Sequence, residues 1–270
     1  MSVASKVATD KAASWGCRKW VLAALLPFAL SLESKAVIGL AFNTAYSQNF
    51  DSLASSGTPA WTDDSTIPGW YSSETAYTPS IGTGTARALY SYGVAGVNPV
   101  TDRALGSVAA SASTVYYGAA FEVAAQTTRL IIKYDGEQWR RAGVLNTLTF
   151  AYFLGTPASI SSGGWTTVPA LNFTGPQTGT GTALDGNAAA NRTTVSFTIT
   201  GLNIPSGGDF WIRWSDPDDS GADAGLAIDN FSITAVPEPG TWGVISGLGL
   251  LAVFALRTWR ERRERPRPVD

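Results

Sequence analysis

Along residues 115–214 the apolar side chains recur at every second position, and this period of two decides what the middle of the chain can become. In STVYYGAAFEV, Val115, Tyr117, Ala119, Phe121 and Val123 share one face. Leu130, Ile132 and Tyr134 do the same in TRLIIKYD, as do Leu148, Phe150, Tyr152 and Leu154 in LTFAYFL. TVSFTIT groups Val195, Phe197 and Ile199, and DFWIRW groups Phe210, Ile212 and Trp214. A strand alternates its side chains between two faces, whereas a helix needs a repeat of 3.6. No stretch here carries the helical repeat, and Lys and Glu, the long charged helix formers, are scarce. YDGE, SSGG, LDGN and PSGG read as turns between the runs, and TGPQTGTGTALDGN as a low-complexity loop. Strands so spaced, with no helices between them, predict an all-β fold: an antiparallel β-sandwich of jelly-roll type.

The sandwich is expected over residues 46–235, a length sufficient to bury a substantial single core. Between Val37 and Ala235 eight Arg and Lys stand against fifteen Asp and Glu, a net charge of −7 inside a chain of formal charge −2. An acidic body excludes a phosphate-backbone partner, so no nucleic acid is expected; it suits cation binding or solubility. There is no His, and Cys17 is the only cysteine. That rules out an internal disulfide, a Ser-His or Cys-His catalytic pair and the usual zinc ligand sets.

The cations missing from the middle sit at the two ends. Arg18 and Lys19 precede VLAALLPFALSL, the layout of a secretory signal peptide over residues 1–36, its helix too short to span a bilayer comfortably. SKA, ending at Ala36, is one cleavage site, and Ala45 is a later alternative. Cys17 lies before the apolar run, not after it, which argues against lipidation. At the other end Thr241–Leu256 is apolar or small throughout and is bracketed by Trp242 and Trp259. A single transmembrane helix over about 240–259 follows, with interfacial Trp at both edges. Arg257, Arg260, Arg262, Arg263, Arg265 and Arg267 then hold the C-terminus in the cytoplasm by the positive-inside rule.

Val236-Pro237-Glu238-Pro239, one membrane helix and a terminal Arg cluster resemble the PEP-CTERM sorting signal, here over 236–270. That resemblance implies a Gram-negative exported protein. It would be anchored in the inner membrane with its domain in the periplasm, processed at the motif by an exosortase, and destined for the cell surface or extracellular matrix. The two prolines also have a physical reading: they hold an extended backbone that a protease can reach. The layout of the middle resembles concanavalin-like and carbohydrate-binding-module jelly rolls on YSQNFDSL, GEQWR and FWIRWSDPDDSGADAGLAIDNFSI.

Two sets of residues are candidates for chemistry. The stretch SDPDDSGADAGLAIDN holds Asp216, Asp218, Asp219, Asp223 and Asp229. Oxygen ligands on Gly-containing loops suit Ca²⁺, although the EF-hand spacing fails. The carbohydrate-binding-module resemblance implies a structural calcium between an acid near the first strand and one in the last. Asp51 and Asp229 occupy those positions. For the other four, solvated loop residues and turn formers remain the competing reading. Trp61, Trp70 and Trp165 lie in Gly/Pro/Ser/Thr-rich loops, where an aromatic either stacks on a sugar ring or plugs the end of the sandwich. Glu137 and Arg140 of GEQWR read either as ligand contacts or as a charged turn beside a core Trp139.

The function expected is non-catalytic: an exported surface or matrix protein associated with exopolysaccharide. A glycoside hydrolase on the same sandwich is the enzymatic alternative. It needs two carboxylates across a cleft, and the E-x-D-x-x-E strand of concanavalin-like hydrolases is missing. A purely structural adhesin or matrix component is the third reading.

Overall fold

The alternating runs become strands, and the strands collect into two sheets whose facing sides form the core. The computed structural model describes residues 37–94, 102–237 and 257. One sheet holds β1 (Ile38–Leu40), β3 (Trp70–Ser72), β7 (Val115–Val123), β9 (Thr147–Leu154), β10 (Thr166–Thr167), β11 (Phe173–Thr174) and β13 (Asp209–Asp216). The other holds β2 (Ala45–Gln48), β4 (Tyr77–Ser80), β5 (Ala88–Tyr92), β6 (Ala104–Val108), β8 (Arg129–Arg140), β12 (Arg192–Ile199) and β14 (Gly225–Val236). The fold is the all-β sandwich of jelly-roll type expected from the sequence. Its pairing is antiparallel except for two parallel pairs, β1 with β7 and β4 with β5.

The first sheet is centred on β7, β13 and β9, which stack Phe121, Phe210 and Leu154 in register, and two steps along Tyr117, Trp214 and Phe150. The second is centred on β14, paired with β8 along one side and with β6 and then β2 along the other. Val115, Tyr117, Phe121, Phe210, Ile212 and Trp214 meet Leu130, Ile132, Tyr134, Ile228, Phe231 and Ile233 from the opposite sheet, all fully buried. The faces predicted from the period of two are therefore the core faces, except where a strand reaches an edge or an end. Phe197, on edge strand β12, is 42 % exposed, and Leu154, last residue of β9, is 46 % exposed.

One expected turn is absent. YDGE lies inside β8, and the strand runs on to Arg140. Gly136 is there for close approach: a Cβ at this position would stand 2.3 Å from the Phe173 ring. GEQWR is accordingly strand, with Glu137 and Trp139 side by side on the face away from the main core. The expected signal peptide, transmembrane helix, Glu238, Pro239 and the arginines beyond Arg257 lie outside the described residues. No helix among the described residues is long and apolar enough to cross a membrane. Arg257 is exposed.

Candidate functional site

Strand β14 changes face partway along. Leu226 and Ile228 point into the core, and so do Phe231, Ile233 and Ala235, an even set followed by an odd one. Such a switch requires an extra residue, and the register with β8 slips between Asp229 and Ser232. Asn230 occupies the bulge with φ +48°. Asp229 therefore sits just before a bulge, on the outer face of the second sheet.

Four more carboxylates gather around it. Asp135 of β8 is its direct cross-strand partner, and Glu137 lies two residues further along β8, opposite Ala227. Asp51 comes from the loop after β2, and Asp102 from the segment leading into β6. The charges of Asp102, Asp51 and Asp135 all act on Asp229, and those of Asp229 and Asp102 on Glu137. The backbone is strained on both sides of the expected calcium pair: Phe50, beside Asp51, has φ +57°, a conformation unusual for a bulky residue.

Neutral donors hold most of these oxygens. Asn49 Nδ2 donates to Asp51 Oδ2 at 2.6 Å, and the Arg103 backbone N–H to Oδ1 at 3.0 Å. Asn187 Nδ2 donates to Asp102 at 2.5 Å, while Thr194 and Asn230 donate to the two oxygens of Asp135 at 2.5 and 3.2 Å. Trp139 Nε1 donates to Glu137 Oε2 at 3.0 Å. Arg103 directs its guanidinium to the Ser91 side chain and carbonyl, while the charge of Asp102 acts on it. Two buried oxygens are left over, Glu137 Oε1 and Asp229 Oδ1, neither with a hydrogen-bond partner. Burial pushes the Asp229 carboxyl up to about 7, reinforced by Asp102, Asp51 and Asp135 and opposed by the Asn230 backbone N–H. Burial likewise raises Glu137 to about 8, with Asp229 next in weight. Crowded, buried carboxylates with orphaned oxygens fit a hard cation in charge and donor type. Among the described residues, no three acidic side chains form a metal cage by themselves, so backbone carbonyls or water would have to complete any coordination shell.

Beside this cluster the outer face of the second sheet hollows into an open groove of about 650 Å³, lined by Ser47, Gln48, Asn49, Lys133, Asp135, Asn230 and Ser232. Its walls come from β2, β8 and β14, and its donors and acceptors are side-chain amides, hydroxyls, one ammonium and one carboxylate. None of these residues except Asp135 belongs to the acidic set, and although they fall within YSQNFDSL, TRLIIKYD and AIDNFSI, none is a candidate contact from the sequence.

The other acidic residues are elsewhere. Asp216, at the end of β13, is buried and accepts from Ser107 Oγ at 2.7 Å; burial raises its carboxyl to about 7, and Asp223 adds to it. Asp218 accepts from the Ala112 backbone N–H at 2.6 Å, Asp219 from Asn146 Nδ2 at 2.5 Å, and Asp223 from the Asp219 backbone N–H at 3.1 Å. These four tie the loop between β13 and β14 to its neighbours and do not join Asp51 and Asp229.

The aromatic candidates need correction. Trp70 is fully buried, stacked 6.2 Å from Trp214 and donating to Tyr46 at 3.0 Å. Trp61 is buried against Tyr77 and donates to Asp63. Neither ring offers a face to a sugar, because each lies inside the sandwich rather than on a loop tip. Trp165 is half-buried on the outer face of the first sheet, where the Arg213 guanidinium lies 4.3 Å over its ring and 4.7 Å over that of Tyr116. One face of Trp165 is therefore already occupied.

Val236 is the last residue of β14, paired with Arg129, and Pro237 is buried against the sandwich, so the first half of the Val-Pro-Glu-Pro motif is part of the folded body. A family model described as the PEP-CTERM protein-sorting motif matches residues 235–263. The chain thus carries, directly behind its last strand, a signal of export and membrane-anchored sorting. No curated protein matches the chain. Among solved structures, it is similar to a CBM22-1 xylan-binding domain from Paenibacillus barcinonensis at 12 % identity and TM-score 0.35, covering 73 % of this chain and 97 % of that one. It is also similar to the K1 cleaved adhesin domain of Lys-gingipain from Porphyromonas gingivalis at 16 % identity and TM-score 0.36, covering 71 % and 98 %. A third is the family 11 carbohydrate-binding module of a Clostridium thermocellum cellulosomal cellulase, at 13 % identity and TM-score 0.31, covering 69 % and 99 %.

Proposed function

We propose that this is a non-catalytic exported protein of the cell surface or extracellular matrix, anchored through its tail in the inner membrane and released by exosortase processing. Its sandwich associates with exopolysaccharide. The single observation that carries the reading is the sorting motif at residues 235–263, placed at the very end of a folded acidic β-domain. The polysaccharide reading is supported by the polar groove between β2, β8 and β14, whose amides and hydroxyls match the hydrogen-bonding needs of a sugar chain. Calcium joins Asp51 to Asp229 at the groove's edge, supported by the orphaned Asp229 oxygen and the raised Asp229 carboxyl. The glutamates of the domain have other work. Glu74 is paired with Arg87 at 2.6 Å, Glu137 is buried under Trp139, and Glu122 stands in β7 opposite Asp209.

Intact-mass measurement on protein from the native host's envelope and medium tests the sorting reading. A species lacking the N-terminal segment and ending within or near residues 236–239 is expected. Full-length, unprocessed protein free in the cytosol overturns it. Glycan-array binding by the secreted form, weakened by Lys133→Ala and Asn49→Ala together, tests the groove; no binding to any arrayed glycan leaves a structural matrix component in its place.

A further inference from the structure

The two ends of the sandwich differ in charge, and the tail leaves from only one of them. Where β14 finishes, three other loops meet it: 41–44 after β1, 124–128 after β7 and 200–208 after β12. They are laced together by backbone bonds. Asn43 N–H donates to Ala235 O, Thr128 N–H to Val236 O, Ala124 N–H to Leu40 O and Gly207 N–H to Val123 O. Side chains add to this, Gln126 donating to Asn203 at 3.3 Å and Ser206 to the Ala124 carbonyl at 2.9 Å. A fourth loop, 155–165, joins through Gly155 N–H to Asp209 O at 2.8 Å. None of these four loops contains an Asp, Glu, Lys or Arg. The nearest charges stand at the strand ends: Arg129 pairs with Val236, and Asp209, opposite Glu122, accepts from Thr156 Oγ1 of the fourth loop at 3.1 Å. Phe42 is 38 % exposed here, and Ala41, Ala124 and Pro205 are exposed as well. At the opposite end, Asp218, Asp219 and Asp223 crowd one loop, and Arg141 another.

The sequence then sets the reach. Only Pro237, Glu238, Pro239 and Gly240 separate the last strand residue from the apolar run that begins at Thr241. Fully extended, that link spans about 18 Å. The headgroup zone takes roughly 5–8 Å of it on each side of a bilayer. The end of the sandwich from which the tail exits is thereby confined to the membrane surface whenever residues 240–259 are in the membrane.

We propose that this end is a membrane-facing surface: its uncharged loops 41–44, 124–128 and 200–208 rest in the lipid headgroup interface and set the acidic end away from it. The occupant is the bilayer itself. A body of net charge −7 beside anionic headgroups is repelled through whichever acids come near. An end whose loops carry no formal charge and expose a few apolar groups approaches with fewer such contacts, Glu238 of the link and Asp209 at the rim being the acids that remain near. The proposal rests on the tail being membrane-anchored.

The test uses the full chain in a Cys17→Ser background, reconstituted in phosphatidylcholine vesicles containing phosphatidylglycerol, with a fluorophore on one introduced thiol at a time: Asn203→Cys or Ser206→Cys near the exit, Ser220→Cys at the far end. Spin-labelled lipid is expected to quench the first two several-fold more than the third. Acidic substitutions at the exit, Ala124→Glu with Ser206→Asp, are expected to lower the quenching at 203 in anionic vesicles but not in neutral ones. An unchanged melting temperature shows that fold is retained. Flotation with the vesicles but equal quenching at all three sites overturns the proposal and leaves the anchorage standing. It also points to a protein, not lipid, as the occupant of this end. Failure to float overturns the anchorage and the proposal with it.

Discussion

Asp216 shows what a single buried acid does to the whole stability profile. An unfolded Asp titrates near 3.8, and in the folded protein burial raises this one to about 7. Between those values the folded state holds a proton that the unfolded chain has released. The stabilisation is complete below about pH 4 and is lost as the pH rises through 7, by up to about 1.4 kcal/mol per pH unit. Asp216→Asn is expected to remove about one proton's worth of slope from the dependence of unfolding free energy on pH, measured by urea melts between pH 4 and 8. A slope identical to the parent's would show that Asp216 is ionised throughout. Glycine at 136 is a second residue-scale case. The sequence context YDGE reads as a turn because Asp-Gly commonly makes one, and only the Phe173 ring against the strand explains a glycine there.

At the scale of elements, β14 carries the most consequence. Its apolar residues change parity between Ile228 and Phe231, so one extra residue must bulge out for both halves to face the core. Deleting Asn230 brings Leu226, Ile228, Phe231, Ile233 and Ala235 onto one period of two, so a regular strand with the same inward face is expected; a retained cooperative melting transition checks this, and its loss would show that the bulge itself is needed. Asn230→Gly keeps the positive φ and should change stability by no more than about 1 kcal/mol. The N-terminal strands make a related point. Leu40 of β1 is buried in the core, and Ile38 lies against Gly69, while β2 pairs with β14 in the other sheet. A chain beginning at Tyr46 loses β1 altogether and is expected to melt well below one beginning at Val37. Export cleavage after Ala36 is the outcome consistent with an intact core, and N-terminal sequencing of the exported protein decides it. The short strands β3, β4, β5 and β6 were not legible in advance. Each has three to five residues, too few to show a period, and in β3, β5 and β6 burial on both sides erases the contrast that a period needs.

At the scale of the whole molecule, the acidic face of the second sheet is where a response to cations is expected. Asp229 and Glu137 both have raised carboxyl groups, so they lose stabilisation with rising pH in the same direction as Asp216. A cation replaces the proton and needs the ionised form. Calcium is therefore expected to raise the melting temperature more at pH 8 than at pH 5. At a hundredfold excess over the dissociation constant the gain is about 2.7 kcal/mol. Asp229→Asn should abolish the shift. A calorimetric titration giving no heat, with no rise in melting temperature at pH 8, would remove calcium from the account.

The sequence by itself determined the class of fold, the charge of the body and the address written in the tail, because each is local: a period of two, a count of ionisable groups, a contiguous motif. It also pointed to Asp51 and Asp229 from opposite ends of the domain. It did not reveal that Asp102, Asp135 and Glu137 join them, and it left Trp61 and Trp70 open between sugar platform and core plug, which burial decides for the plug. Those outcomes depend on which strands become neighbours and on a one-residue bulge that selects the face. Pairing across sheets is a property of tertiary packing, where residues more than a hundred positions apart meet and where the same tryptophan is a platform or a core plug according to what lies over it.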